Sequence, residues 1–148
     1  MLIPQAVLVA SGAFGDALSA EDVARAIGRG LVAGGLPEPD LCPLAEDFDG
    51  ATSNEVRARL DELDFDARMR RARAVVLVEQ RLAEDELRGS AAFEIATRAR
   101  QGGVPAYAVT GENALTPFDA RVLDLQVILE ARTKRALVAA GRKMARVL

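Results

Sequence analysis

A glycine-rich turn near the amino terminus carries the first residues that could bind a ligand. Ser11, Gly12, Gly15 and Ser19 follow a short apolar run and precede a helical pattern. Glycines let backbone N–H groups approach an anion, and the start of a helix adds the positive end of its dipole. The turn is not a P-loop, because no Gly-Lys-Ser/Thr follows, and Asp16 would repel a phosphate. We favour the alternative interpretation, a tight βα turn with a helix N-cap.

Two further groups of charged residues could do chemistry. Glu46, Asp47 and Asp49 form an acidic cluster, and carboxylate oxygens are ligands that Mg²⁺ prefers. The alternative, which we favour, is a solvated polar loop. Glu79 and Arg81 follow the third apolar run. They either bind a polar ligand or pair with each other, and pairing is the preferred interpretation.

The chain has no histidine and a single cysteine, Cys42. This excludes His-based triads, His general bases, His metal ligands, a disulfide within the chain and a cysteine zinc cluster. We expect Cys42 to be a small buried hydrophobic residue. The sequence contains no complete catalytic site that we can identify, so any catalysis would use carboxylates, Lys, Arg, Ser, Thr or backbone groups.

The overall charge is acidic, with a formal net charge of −3 and a pI of about 5.1. This argues against non-specific binding of nucleic acid, and an aromatic content of 4% argues against platforms that stack bases. The exception is a set of cations near the carboxyl terminus: Arg132, Lys134, Arg135, Arg142, Lys143 and Arg146. We interpret them as a solvated helix face with cations favoured near the helix end. The alternative is a docking surface for an acidic partner.

Five short apolar runs predict strands, at residues 7–10, 41–44, 75–78, 106–109 and 125–129. Most are continuous rather than alternating, which is typical of strands covered on both faces. Pro43 cannot donate to a ladder, so we place the second strand at an edge or end it there.

Helical patterns separate these runs. They begin at the capping box-like segment 19–22 and cover 53–71, about 84–101, a short stretch from Thr116-Pro117, and Arg132 onward. The order βαβαβαβαβα predicts a single α/β domain over residues 1–148, with a doubly wound parallel sheet in the flavodoxin-like order 2-1-3-4-5 and helices on both faces. Ligands of such sheets bind beyond the carboxyl ends of the strands, here after the first and third. Neither a signal peptide nor a membrane span is expected, so the cytoplasm is the expected location.

Four blocks of the sequence, in order, carry a family resemblance. They are 7–10 with Phe14 and 18–20; 43–50; 74–78 with Glu79, Arg81, Leu82, Leu87 and Gly89; and 104–109. They resemble V-x-A-P-D-S-F-K-G-S-L-S-A, P-x-A-D-G-G-E-G-T, D-L-V-I-T-G-E-G-R-L-D-x-Q-T-L-x-G-K-A-P and V-P-V-x-A-L of the bacterial two-domain glycerate kinase family.

The resemblance implies the first domain of an ATP-dependent phosphotransferase. Members of that family carry a second domain inserted after the acidic loop, whereas residues 51–73 hold one helical stretch, the length of an ordinary crossover. Gly12 and Gly15 replace the Asp and the Lys of the first motif, whereas Glu79 and Arg81 match the Glu and the Arg of the third motif.

Three functional hypotheses follow. The preferred one is a glycerate-kinase-like domain without kinase activity that acts as a small-ligand or protein-binding module, with a homo-oligomer as one form. The second is an active phosphotransferase that uses ATP and Mg²⁺, with the acidic cluster on the metal and Arg81 with the glycine-rich turn on phosphate. The third is an interaction subunit that pairs with a separate chain. We expect neither nucleic acid nor membrane as a partner.

Overall fold

The computed structural model describes residues 5–44, 53–83 and 90–148 of the chain. The strands are β1 (Val7–Ser11), β2 (Asp40–Pro43), β3 (Ala74–Ala83), β4 (Ala106–Ala114) and β5 (Leu125–Glu130). The helices are α1 (Ala20–Ala33), α2 (Ser53–Glu62), α3 (Phe65–Arg71), α4 (Ala91–Gly102), α5 (Pro117–Val122) and α6 (Lys134–Ala145). Within these three ranges no helix has both the length and the apolar character needed to cross a membrane.

The five strands form one parallel sheet in the order β2-β1-β3-β4-β5. This confirms the predicted α/β fold and its flavodoxin-like strand order. β2 lies at an edge, as Pro43 predicts, and Pro43 is its last residue. A residue without an N–H is tolerated there because it interrupts no central ladder.

Helices cover both faces of the sheet, which explains why the central strands are continuously apolar. In β1, Val7 and Val9 pack with the side chains of α1 and α6. Leu8 and Ala10 pack on the other face, in a cluster that includes side chains from α2, α3 and α4. All four are buried, so the core is two apolar layers divided by the sheet.

The helix α1 begins and ends where its residues dictate. The Ser19 hydroxyl accepts a hydrogen bond from the Asp22 N–H at 3.1 Å, and Glu21 and Asp22 place negative charge in the first turn. The N–H of Gly34 then donates to the carbonyl of Gly30 at 2.9 Å as the helix ends. The predicted start of this helix is therefore confirmed.

Two glycines bring α1 and α6 into direct backbone contact. A Cβ added to Gly30 would overlap the carbonyl oxygen of Val138 and lie 2.8 Å from the Arg142 nitrogen, and one added to Gly141 would overlap the carbonyl oxygen of Ile27. Any larger residue at either position would push the helices apart, since backbone atoms cannot move aside as a flexible side chain can.

The structure corrects the predicted helix at 53–71. This region forms α2 and α3, because Asp64 adopts a left-handed conformation with φ of 55° between them. A single α-helix cannot continue through such a residue.

The helical region predicted over about 84–101 is not one continuous helix, and its predicted start at Glu84 lies outside the described residues. α4 begins at Ala91, after Ser90 in an extended conformation whose hydroxyl accepts a hydrogen bond from the Phe93 N–H at 3.2 Å. Residues 84–89 lie outside the described part of the chain.

On the face of the sheet opposite α1 and α6, arginine–carboxylate pairs join α2, α3 and α4, which we call the α2–α4 layer. Arg98 of α4 bonds Asp61 at 3.0 Å and Asp66 at 3.1 Å. Glu94, also in α4 and nearly buried, accepts from Arg57 Nε at 3.0 Å. These contacts hold α2 and α3 against α4.

Candidate functional site

The third and fourth strands extend beyond their neighbours at the carboxyl edge of the sheet. β1 pairs with β3 as far as Ser11↔Val78, and β5 pairs with β4 as far as Glu130↔Thr110. β3 and β4 continue to pair through Ala83↔Ala114. We call residues 79–83 and 111–114 the β3–β4 extension; it lies at the edge where a parallel sheet of this kind binds ligands.

The glycine-rich turn from β1 to α1 lies beside this extension. A Cβ added to Gly12 would lie 3.2 Å from Glu79 Oε2, so the first residue of the turn is next to the Glu79 carboxylate. Gly15 has φ of +58° and adjoins the Gln80 side chain. The structure therefore brings Gly12 and Gly15 of the turn beside Glu79 and Gln80 of β3, as the adjacency of β1 and β3 requires.

Within the turn, the polar groups of the candidate residues have partners inside the chain. The buried Ser11 hydroxyl donates to the Ala20 carbonyl at 2.8 Å, and the Gly12 N–H donates to the Val78 carbonyl at 2.9 Å. Ser19 caps α1 as described above. A bridge between Phe14 and Leu18 closes the turn. These contacts agree with the structural interpretation of the turn, since they support the fold rather than point outward.

Arg81 pairs across the extension with a residue that sequence reasoning missed. Its Nε lies 3.2 Å from Glu112 Oε2, and the two side chains are 40% and 53% exposed. The pair follows from the register Arg81↔Glu112 between β3 and β4. An oppositely charged cross-strand pair of this exposure contributes little to stability, but it reduces the positive charge that Arg81 would offer to an anion.

Gly111 is a second residue of the β3–β4 extension that the sequence did not identify as a candidate. A Cβ at this position would lie 2.7 Å from the Gln80 carbonyl oxygen and 3.5 Å from the Phe14 ring. The Gly111 carbonyl accepts a hydrogen bond from Arg132 Nε at 2.7 Å. A glycine inside a strand indicates that another part of the chain approaches its backbone closely. The sequence alone does not show which residues approach.

The carboxyl ends of β4 and β5 likewise bond to each other. Thr110, fully buried, donates from its hydroxyl to the Glu112 carbonyl at 3.1 Å, and its own carbonyl accepts from the Ala131 N–H at 2.9 Å. Glu130 Oε2 accepts from the Asn113 N–H at 3.1 Å. These bonds hold the extension against the end of β5.

The acidic cluster Glu46, Asp47 and Asp49 lies outside the described residues. In residues 5–44, 53–83 and 90–148, no three His, Cys, Asp or Glu side chains come together in a way that could hold a metal ion. The proposed Mg²⁺ ligands therefore remain a sequence-based prediction.

Cys42 is fully buried in the core below the α2–α4 layer, as predicted. Removal from solvent raises the pKa of its thiol above the ordinary value, and the nearby Arg68 guanidinium opposes that rise in part. Arg68 itself holds Asp40 with two bonds of 3.0 and 2.7 Å. A protonated, inaccessible thiol is a poor nucleophile, so Cys42 is a packing residue.

No protein-family model matches the chain, and no curated protein matches it. Among solved structures the chain is similar to a protein described as "putative glycerate kinase 2" from Salmonella typhimurium LT2, with 12% sequence identity and a TM-score of 0.48. The matched region covers 74% of this chain and 27% of that one, so the chain spans about a quarter of the length of its structural neighbour. A likeness this distant assigns neither a family nor an activity to the chain.

Proposed function

We propose that the chain is a glycerate-kinase-like domain without kinase activity that acts as a binding module. One observation carries the proposal: several polar groups of the glycine-rich turn and of the β3–β4 extension bond within the protein. Ser11, Gly12 and Ser19 support the turn and the start of α1. Arg81 bonds Glu112. A phosphotransferase would need such groups to face its substrates.

The charges around the glycine-rich turn support the same proposal. Phosphoryl transfer needs cations that neutralise the charge developing on the phosphate. The turn has Glu79 beside Gly12 and contains Asp16. The only lysines of the chain are Lys134 and Lys143, and neither belongs to β1, to β3 or to the turn. An ATP phosphate placed here would therefore meet carboxylates rather than ammonium groups.

The test combines a binding measurement with an activity measurement. The purified chain is titrated with ATP, Mg²⁺ and D-glycerate, singly and together, while its thermal midpoint is followed, and phosphorylation of glycerate is measured in parallel. Ligand that binds the native state raises stability by about 2.7 kcal/mol at a hundredfold excess over its dissociation constant. We expect no nucleotide-dependent rise of the midpoint and no phosphorylated product.

The variant Glu79→Ala and the control Glu38→Ala decide how any activity is interpreted. Glu38 is exposed in the loop between α1 and β2, at the opposite edge of the sheet. Phosphorylation that is abolished by Glu79→Ala and retained by Glu38→Ala would overturn the proposal. It would place an active phosphotransferase at the carboxyl edge.

A further inference from the structure

The outer surface of the helical layer that α1 and α6 form, which we call the α1–α6 layer, carries many exposed cations. Its exposed cations, which we call the cationic face, are Arg25, Arg29, Lys134, Arg135, Arg142, Lys143 and Arg146. The acids of these two helices are Glu21 and Asp22, both in the first turn of α1. Since the whole chain has a net charge of −3, the remainder of the sequence carries an excess of acidic residues.

Among the described residues, fewer cations of this face than of the opposite layer have carboxylate partners. Across the sheet, Arg57, Arg68 and Arg98 all bond carboxylates of other elements. On the cationic face, within the described part of the chain, only Arg25 forms an ion pair. Its partner is Glu21 at 3.9 Å, and both side chains are largely exposed. The cationic face is therefore charged without internal compensation.

The helix dipole accounts for only part of this pattern. Arg142 and Lys143 lie in the last turn of α6, where cations are favourable. Lys134 and Arg135 are the first two residues of the same helix, whose first turn contains no acid. Cations near a helix start oppose the dipole, so their presence has no explanation in the stability of α6.

The contact between the two helices makes the charge denser. Gly30 and Gly141 bring the backbones together, which places the cations of α1 and α6 on one continuous surface. Like charges on neighbouring helical positions are destabilising. A bound partner that supplies negative charge would offset this cost.

The surroundings of the cationic face favour a protein over nucleic acid. The whole chain has a net charge of −3, which opposes binding to a phosphate backbone. The same layer also exposes apolar side chains: Val32 of α1 is 40% exposed, and Val147, shortly after α6, is 51% exposed. Carboxylates pair with arginines in a bidentate manner, and a protein surface can also cover the valines.

We propose that the cationic face docks an acidic protein partner, whose carboxylates pair with the arginines of α1 and α6. The proposal shares with the proposed function the premise that the chain binds rather than catalyses. It concerns another surface, because none of the residues of the carboxyl-edge site belongs to the cationic face. The two proposals can therefore fail separately.

The test uses a labelled oligoglutamate peptide as a probe of acidic protein. Oligothymidylate of equal length and vesicles containing phosphatidylserine are the competing probes. Binding is followed by fluorescence anisotropy or cosedimentation at low and at physiological salt. We expect the peptide to bind more tightly than the oligothymidylate or the vesicles, with an affinity that falls as salt rises.

Matched charge reversals locate the binding surface. The variant Arg135→Glu/Arg142→Glu/Arg146→Glu replaces two cations of α6 and the cation at its C-cap, and we expect it to weaken peptide binding at least about tenfold. The control Arg70→Glu/Arg71→Glu/Arg121→Glu changes the net charge equally at exposed positions outside α1 and α6, and it should bind more tightly than the α6 variant. If the α6 variant does not fold, the same arginines are changed to Ala, where circular dichroism and the thermal midpoint confirm the fold.

Each contrary result overturns the proposal. Equal losses in both triple variants would mean that overall charge, and not this face, governs binding. Tighter binding of oligothymidylate would identify a nucleic-acid surface, and tighter binding of vesicles would identify a lipid surface. No peptide binding would mean that the face is merely solvated. Where the peptide binds, Glu79→Ala should leave its affinity unchanged, since Glu79 lies at the carboxyl edge of the sheet and not on the cationic face.

Discussion

Ser11 and Ser19 flank the same turn, but only one of their roles could be derived from sequence. Ser19 precedes Glu21 and Asp22, a pattern that predicts a helix N-cap, and it is one. Ser11 donates to the carbonyl of Ala20, nine residues further along the chain. That contact depends on how the turn closes onto β1, and no local pattern encodes it. From sequence, Ser11 was therefore a candidate for binding a ligand, whereas in the structure its hydroxyl makes a hydrogen bond that supports the fold.

Replacing Ser11 with Ala should destabilise the protein. The hydroxyl and its bond to the Ala20 carbonyl are buried, so the variant leaves that carbonyl without this donor. We expect the free energy of unfolding to fall by about 1–3 kcal/mol, measured by urea denaturation. The control Ala33→Ser, at an exposed position of α1, should change it by roughly 0.5 kcal/mol or less. An equally small change for Ser11→Ala would show that its bond is dispensable.

Cys42 gives the protein a specific dependence on alkaline pH. Burial raises the pKa of its thiol above the ordinary value of 9.0, so the unfolded chain loses the proton first. The stabilisation from this group is complete below pH 9.0 and is lost as the pH rises through the higher folded-state value. We expect the free energy of unfolding to decline between pH 9.0 and the folded-state pKa by at most about 1.4 kcal/mol per pH unit. Unfolding curves of Cys42→Ala should lack this decline, and an identical pH slope in both proteins would contradict the assignment.

At the scale of elements, the five apolar runs located each strand of the described residues but not its length. Val75 to Val78 marked the start of β3, whereas the strand continues through Glu79, Gln80 and Arg81 to Ala83. Polar residues give no apolar signal, and their strand conformation comes from pairing with β4. Arg81 lies in this extension, so its cross-strand partner Glu112 could not be identified before the register between β3 and β4 was known.

The crossing of α1 and α6 depends on small residues, and Gly30→Ala should weaken it. Alanine favours a helix by about 1 kcal/mol over glycine when nothing else changes. Here its Cβ would overlap the backbone of α6, and overpacking against backbone costs about 1–3 kcal/mol. We expect net destabilisation in thermal or urea unfolding. Ala139→Gly on the exposed side of α6 should cost about 1 kcal/mol through propensity alone. A stabilised Gly30→Ala variant would mean that the helices separate at no cost.

Arg98 joins three helices, and its removal should loosen them together. It bonds Asp61 of α2 and Asp66 of α3, and it lies 3.8 Å from Glu94 of its own helix. The aspartates are partly exposed, which weakens each pair, while Glu94 is nearly buried. We therefore expect Arg98→Ala to lower the free energy of unfolding by about 1–2 kcal/mol, with Arg121→Ala, an exposed arginine, as the control. Equal stability of both variants would show that the pairs contribute nothing.

At the scale of the molecule, the two helical layers have different electrostatic designs. In the layer formed by α2, α3 and α4, Arg57, Arg68 and Arg98 pair with carboxylates. On the cationic face, only Arg25 has a carboxylate partner among the described residues, and the other six cations are exposed. Sequence shows the basic run near the carboxyl terminus, but not that Arg25 and Arg29 of α1 join it on the same surface. That joining follows from the strand order, which places α1 and α6 on one face. The basic run is therefore a candidate interface only in the folded chain, where the cations of α1 lie on the same surface.

The same layering predicts an order of hydrogen exchange across the molecule. β1 and β3 lie inside the sheet and are buried from Val7 to Ser11 and from Ala74 to Val78, so their amides should exchange only through global unfolding. α5 has no buried residue, and Phe118 on it is 67% exposed. Its amides should therefore exchange fastest among those of the described helices, measured by mass spectrometry or NMR in deuterated buffer. Protection of α5 equal to that of β1 would contradict this order. It would mean that Phe118 is covered in solution, and a concentration series would then show whether a second copy of the chain covers it.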